Sequence, residues 1–124
     1  MINYILVGLG GALGAILRYF VSIISNYFFY YSFIGTLIIN IIGSFLIGFF
    51  IYILQNKIDS TNVINYFLLI GVLGSFTTFS AFSYETLELI LNHKTLIASM
   101  YILSSVFFCI IAAYLGLNFH KIIN

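Results

Sequence analysis

Four long apolar runs, separated by short polar connectors, dominate the chain; they fall at about 3–24, 33–54, 63–91 and 95–117. An α-helix rises 1.5 Å per residue, so about 20 apolar residues cross the hydrocarbon core of a bilayer. The first, second and fourth runs have that length. The third is longer, and its middle departs from the pattern. Gly74-Ser75-Phe76-Thr77-Thr78-Phe79-Ser80-Ala81-Phe82-Ser83 crowds small and hydroxyl side chains where a span should be most apolar. The connectors carry Gln55-Asn56-Lys57, Asp59-Ser60-Thr61-Asn62 and Asn92-His93-Lys94. The runs are continuous and lack the period-2 alternation of a membrane β-barrel. The pattern therefore predicts an all-α membrane protein, with four transmembrane helices in one domain over 1–124 and no extramembrane domain. The first run does not read as a cleavable leader: it lacks a basic start, is too long, and contains Arg18.

Composition narrows the function classes. Of 124 residues, 63% are hydrophobic and 6% charged, against roughly 25% charged in an ordinary soluble domain. So little charge cannot coat a water-facing surface. Four Lys+Arg against three Asp+Glu leave +1 and no basic patch, which excludes a nucleic-acid partner. Cys109 is the single cysteine, so no intrachain disulfide forms, and no Cys/His spacing suggests zinc. Glu85 and Glu88 share a helix face, but no nucleophile with its base, metal-ligand spacing or phosphate loop appears. The chain does not read as an enzyme.

The charges give no preferred orientation. With four spans, Lys57 and Lys121 fall on one side of the membrane and Arg18 and Lys94 on the other. Two against two leaves the positive-inside rule without a bias. A weak preference for one orientation fits this count, and on the count alone it weighs more. Copies inserted both ways up and paired antiparallel also fit it.

Four helices enclose a polar path poorly, so an oligomer is expected. Gly10 and Gly14 form a GxxxG pair that lets helix backbones approach closely, within the chain or between copies. On the second helix Thr36, Asn40 and Ser44 repeat every four residues and share a face. The Asn40 amide offers donors and an acceptor that must meet protein or water in the membrane. It either lines a path or ties helices together. On the fourth helix Tyr101, Ser105 and Cys109 form a similar stripe, with Ser104 beside it. Hydroxyls there commonly bond back to their own backbone, so this stripe alone reads as structural.

The run from Gly74 to Ser83 is the strongest signal. Gly, Ser and Thr hold an uninterrupted helix poorly, and the pattern predicts a break near the centre of the third helix. The alternative is a continuous helix with a small-residue packing face. A break leaves free carbonyls on one half, suited to a hard cation, and free N–H groups on the other, suited to a small anion. Phe79 and Phe82 lie three apart on one face, and a phenyl ring presents a positive edge. Arg18 and Glu85 are the charges well inside spans. Both are expected toward the same membrane side, about 9 Å from their span ends, as an ion pair or with Arg18 lining a vestibule. Glu88 and His93 read as solvated, and His120 as interfacial.

These blocks resemble the CrcB/Fluc fluoride channel family over nearly the whole chain. The resemblance rests on Gly10-Gly11-Ala12-Leu13-Gly14-Ala15-Ile16-Leu17-Arg18-Tyr19, on the stretch 35–48 with Asn40 inside, and on the stretch 71–85 with Thr77-Thr78-Phe79-Ser80-Ala81-Phe82-Ser83. It implies an antiparallel dual-topology homodimer in the cell inner membrane, with two ion paths and passive, selective export of fluoride. Hydrogen fluoride enters cells as a neutral acid and ionises inside, so a passive exit suffices. It also implies a structural sodium ion at the dimer centre, held by the carbonyls of Gly74 and Thr77. Phe79, Phe82 and Asn40 would line the paths, with Ser80, Tyr101 and Ser105 in a polar track. Arg18 and Glu85 match family positions as vestibule or supporting residues. The chain departs from the family at Ser75 and Phe76, where Gly and Leu are commoner, and at Ala81, where Thr is usual. It departs again at Cys109, where a hydroxyl would extend the track.

Fluoride is small and strongly hydrated, so stripping its water takes many donors. A full positive charge at the narrowest point would hold it too tightly to conduct, and the sequence places none at mid-membrane. One competing reading is a small multidrug exporter, which needs a membrane-embedded carboxylate in the first helix; Arg18 stands there and no Asp or Glu does. The other is a non-transporting scaffold subunit.

Overall fold

A computed structural model describes residues 1–29, 31–55, 63–119 and 121. Residues 56–62 of the second connector, Lys57 among them, and His120 lie outside the described residues. The chain forms α1 (Ile2–Phe28), α2 (Ser32–Gln55), α3 (Ile64–Leu73), the single turn α4 (Gly74–Phe76), α5 (Phe79–Leu91) and α6 (Thr95–Leu117). α3 is wound with the wider π-helical hydrogen bonding, a rare winding that marks functional segments more often than others. Among the described residues four stretches are long and apolar enough to cross a membrane: Ile2–Phe28, Ser32–Leu54, Asn65–Leu91 and Thr95–Leu117.

α1 runs four residues beyond the expected end at Ile24. Ser25, just past that expected end, is buried against Gly35 of α2, where a Cβ would come within 2.7 Å of the Ser25 hydroxyl. Ser25 therefore belongs to the packing between helices rather than to the connector. The helix closes with the Phe29 N–H donating to the Ser25 carbonyl at 2.7 Å.

Two pairs of helices carry the packing: α1 lies along α3 and α4, and α2 lies along α6. Lipid tails are as apolar as leucine, so helices in a bilayer associate through close contact rather than hydrophobic drive. Glycines supply that contact. Gly10 meets the Phe67 carbonyl and Gly71, and Gly14 meets the Val72 carbonyl and the Phe76 nitrogen; a Cβ at either would strike backbone. The GxxxG pair thus packs within the chain. Gly48 against the Ala113 carbonyl and Gly116 against the Phe45 carbonyl repeat the arrangement between α2 and α6. Contacts advance together from Gly10 to Gly14 against Phe67 to Phe76, and from Phe33 against Tyr101 to Phe45 against Phe119, so the paired helices run parallel. α5 packs on α2 and α6 around Leu89, Ala98 and Tyr101, with Phe33, Leu37, Phe82 and Ile97 against them.

The turn between α5 and α6 is a Schellman motif. Lys94 N–H donates to Leu89 O at 2.9 Å and His93 N–H to Ile90 O at 3.0 Å. His93 takes φ 58°, the left-handed position glycine usually fills. Lys94 then places its ammonium 5.3 Å above the centre of the Tyr31 ring, a cation–π geometry.

Candidate functional site

Between α4 and α5 the backbone leaves helical dihedrals. Thr77 has φ −75°, ψ 152° and Thr78 has φ −148°, ψ 124°. Both are β-branched, which suits extended backbone. The two threonines close the flanking helices with their own hydroxyls. Thr77 Oγ1 donates to Leu73 O at 3.0 Å, which also accepts the Thr77 N–H at 3.1 Å. Thr78 Oγ1 accepts the Ala81 N–H at 3.3 Å as the N-cap of α5, and lies 3.0 Å from Ser80 Oγ.

Asn40 spans the extended pair from α2. Its Nδ2 donates to Thr78 O at 3.1 Å, and its Oδ1 accepts the Thr78 N–H at 2.9 Å. The amide oxygen so replaces the acceptor that a continuous helix would have given the Thr78 N–H, while Nδ2 adds a donor to the carbonyl that opens α5. In a continuous helix the Thr78 N–H would go to Gly74 O and the Ala81 N–H to Thr77 O. Here those donors go to Asn40 and to the Thr78 hydroxyl. The Gly74 and Thr77 carbonyls thereby lose the donors that a continuous helix would give them.

One turn before Asn40, Thr36 Oγ1 donates to Glu85 Oε1 at 2.8 Å. Tyr101 Oη donates to the other oxygen, Oε2, also at 2.8 Å. All three residues are buried. The stripe on α2 therefore faces the third span, and α6 meets the same carboxylate from its other side.

Among the described residues no contact joins Arg18 to Glu85, whose two oxygens take Thr36 and Tyr101. α1 continues ten residues beyond Arg18, about 15 Å.

A groove of about 290 Å³ opens beside the extended pair, lined among others by Asn40, Ser44, Thr78, Phe79, Phe82 and Ser105. None of its lining side chains is charged. Phe79 and Phe82 stand with ring centres 5.3 Å apart and planes tilted by 42°, and Phe79 is 78% exposed on the single chain. Gly74 and Ser80 are exposed as well. A second, more polar pocket of about 240 Å³ lies at the far end of α5, with Ser32, Glu85, Glu88, Asn92 and Lys94 in its wall.

Six of the sequence-predicted residues thus gather about the extended pair: Asn40, Thr77, Phe79, Phe82 and Ser105 at the groove and Ser80 beside Thr78. Tyr101 does not line the groove; its hydroxyl is spent on Glu85 and its ring packs 5.1 Å from Phe82. Sequence reasoning placed Thr78 in the expected break but gave it no part in the site, although its backbone takes both Asn40 bonds. It also missed Gly43, where a Cβ would collide with the Thr77 methyl. Gly43 sits three residues after Asn40 on the same helix, which is the signal that would have found it.

Comparison with known proteins is consistent along the chain. Residues 5–117 match the family described as CrcB-like protein, Camphor Resistance (CrcB). A Ruminiclostridium cellulolyticum protein named fluoride-specific ion channel FluC is 44% identical over 117 residues, covering 94% of this chain and 90% of that one. A Campylobacter jejuni protein of the same name is 44% identical over 123 residues, covering 98% of this chain and all of the other. Methanosarcina acetivorans has a protein named fluoride-specific ion channel FluC 1, 40% identical over 117 residues, 94% of this chain and 88% of that one. The glycine contacts, the Asn40 bridge and the Phe79/Phe82 pair all lie inside the matched span, and the chain belongs to the CrcB-like family.

Proposed function

We propose that the protein is a fluoride-selective ion channel, not an enzyme, that lets fluoride leave the cytoplasm passively. It works in the cell inner membrane as an antiparallel, dual-topology homodimer. The observation that carries this reading is the uncharged groove beside Thr77 and Thr78, where an amide, several hydroxyls and two phenyl rings face one space. A dehydrated fluoride needs donors that share its charge without trapping it. Ring edges supply part of that, and the N-terminal end of α5 adds free N–H groups and a favourable dipole. The names of the relatives support fluoride as the ion.

The homodimer rests on what one chain leaves open. Gly74, Phe79 and Ser80 are exposed in the middle of a span, and unpaired carbonyls facing acyl chains cost several kcal/mol each. A second copy across this face removes that cost, and the balanced charge count suits copies inserted in opposite senses. In this reading the third span is a helix broken for function at Thr77 and Thr78.

The Gly74 and Thr77 carbonyls fit a sodium ion. Their helical donors bond elsewhere, carbonyl oxygens suit a hard cation, and Gly74 leaves approach room, with Leu69 O 3.6 Å from where a Cβ would stand. Bound there, sodium would supply a fixed positive charge at the subunit contact. Asn40 and the threonine hydroxyls hold the backbone in the shape that presents these carbonyls.

Growth tests the reading. A fluoride-sensitive bacterium expressing the protein should grow on fluoride concentrations that stop the parent strain, with no gain on cationic dyes. Protection against the dyes and not against fluoride would instead support a multidrug exporter.

A further inference from the structure

Cys109 lines the groove one turn beyond Ser105 on α6, partly exposed and unpaired. Ser105 is 7% exposed, its hydroxyl finds no partner among the described residues, and it lines the same groove. A buried hydroxyl without a partner is costly unless something in the groove completes it, so the space at this level is built to take a ligand. Where the stripe on α6 reaches Cys109 the side chain is soft and polarisable, with a weak S–H donor. It solvates a small hard anion poorly, but it binds soft metal ions strongly.

We propose that Cys109, with the Ser105 hydroxyl beside it, forms a site in the groove for a thiophilic metal ion or a small thiol reagent, and that filling it stops conduction. The claim of a block rests on the proposed channel function; the claim of a reachable thiol site does not. With mercuric chloride the S–H bond breaks and its proton passes to water. An S–Hg bond forms and one chloride is released, so no oxidant or reductant is needed. An excess of dithiothreitol reverses the step by taking the mercury between its own sulfurs.

The test treats the purified, membrane-reconstituted protein with mercuric chloride and measures two things. The first is the number of mercury atoms per chain by intact mass. The second is fluoride efflux from the liposomes before treatment, after it, and after dithiothreitol. One mercury per chain is expected, with efflux falling by about ten-fold or more because a heavy atom in the narrow part leaves the ion no way past. Dithiothreitol should restore the rate. Cys109→Ser, compared with its own untreated rate, should take up no mercury and lose no efflux. Three results would overturn the proposal: no adduct on the folded protein although the denatured chain takes one; one adduct with efflux unchanged; or equal inhibition of Cys109→Ser. Absence of efflux before treatment would refute the channel function itself, while mercury uptake would still decide whether the groove exposes the thiol.

Discussion

The Asn40 carboxamide makes two hydrogen bonds to the backbone of Thr78, donating to its carbonyl at 3.1 Å and accepting from its N–H at 2.9 Å. The residues lie 38 positions apart, on α2 and at the junction of α4 and α5. A backbone unit that has left its helix is satisfied from the neighbouring helix, and the groove opens beside that repair.

Asn40→Asp should abolish fluoride flux and weaken the fold. The carboxylate cannot donate to Thr78 O, so two oxygens face each other at the bridge. Leaving a buried group unpaired costs about 1–3 kcal/mol, and the added negative charge repels an anion in the groove. Flux and thermal midpoint in detergent should both fall; unchanged flux would remove Asn40 from the path.

Phe82→Ile should cut flux and leave the assembly intact. The Phe82 ring contacts Tyr101 at 5.1 Å and Phe79 at 5.3 Å, and losing such ring pairs costs about 0.5–1.5 kcal/mol each. That is enough to shift the midpoint but not to unfold the protein. Normal conductance with an unchanged elution volume would show that the ring edge does no work there.

Tyr101→Phe and Glu85→Gln should interact in a double-mutant cycle. Each removes part of the Thr36–Glu85–Tyr101 arrangement, so the double variant should lose less than the sum of the single losses. A coupling of about 1–2 kcal/mol is expected for groups in one network. Strict additivity in thermal melts would mean the hydroxyl and carboxylate act independently.

Gly14→Ala should destabilise the protein by about 1–3 kcal/mol, because a new methyl in a closed contact forces backbone apart. Gly8→Ala is the control: nothing lies within 4 Å of a Cβ there, so it should leave the midpoint unchanged or raised. His93→Gly should raise stability by about 1 kcal/mol by removing the cost of a left-handed L-residue. Melting curves of the three variants check these signs together.

Much of the fold is legible in the sequence, and the reason is solvent. In a bilayer an apolar run of the right length has few alternatives to a helix, so four spans follow from hydropathy. What escapes is any relation across the chain. That α1 outruns Ile24 is not visible along the chain, because Ser25 packs on Gly35 of the next helix. Gly10 and Gly14 could serve a contact within the chain or between chains until Phe67 and Val72 are placed against them. Glu85 and Arg18 read as a pair or as a vestibule, and neither reading shows the two hydroxyls that the fold brings to Glu85. The stretch from Gly74 to Ser83 marks itself by its composition, and Asn40 by being an amide in lipid. That the one completes the other needs the coordinates.

Removing sodium should weaken the assembly if the Gly74 and Thr77 carbonyls hold it. Exchange into a bulky organic cation by long dialysis should lower the thermal midpoint or the dimer fraction, reversibly on returning sodium. Indifference to the exchange would argue against that site.

The most direct measurement is ion efflux from liposomes loaded with fluoride or with chloride and containing the purified protein, followed with an ion-selective electrode. The groove beside Thr77 and Thr78 predicts rapid fluoride release with chloride retained. No release of fluoride, or release of both ions at similar rates, would contradict a fluoride-selective path.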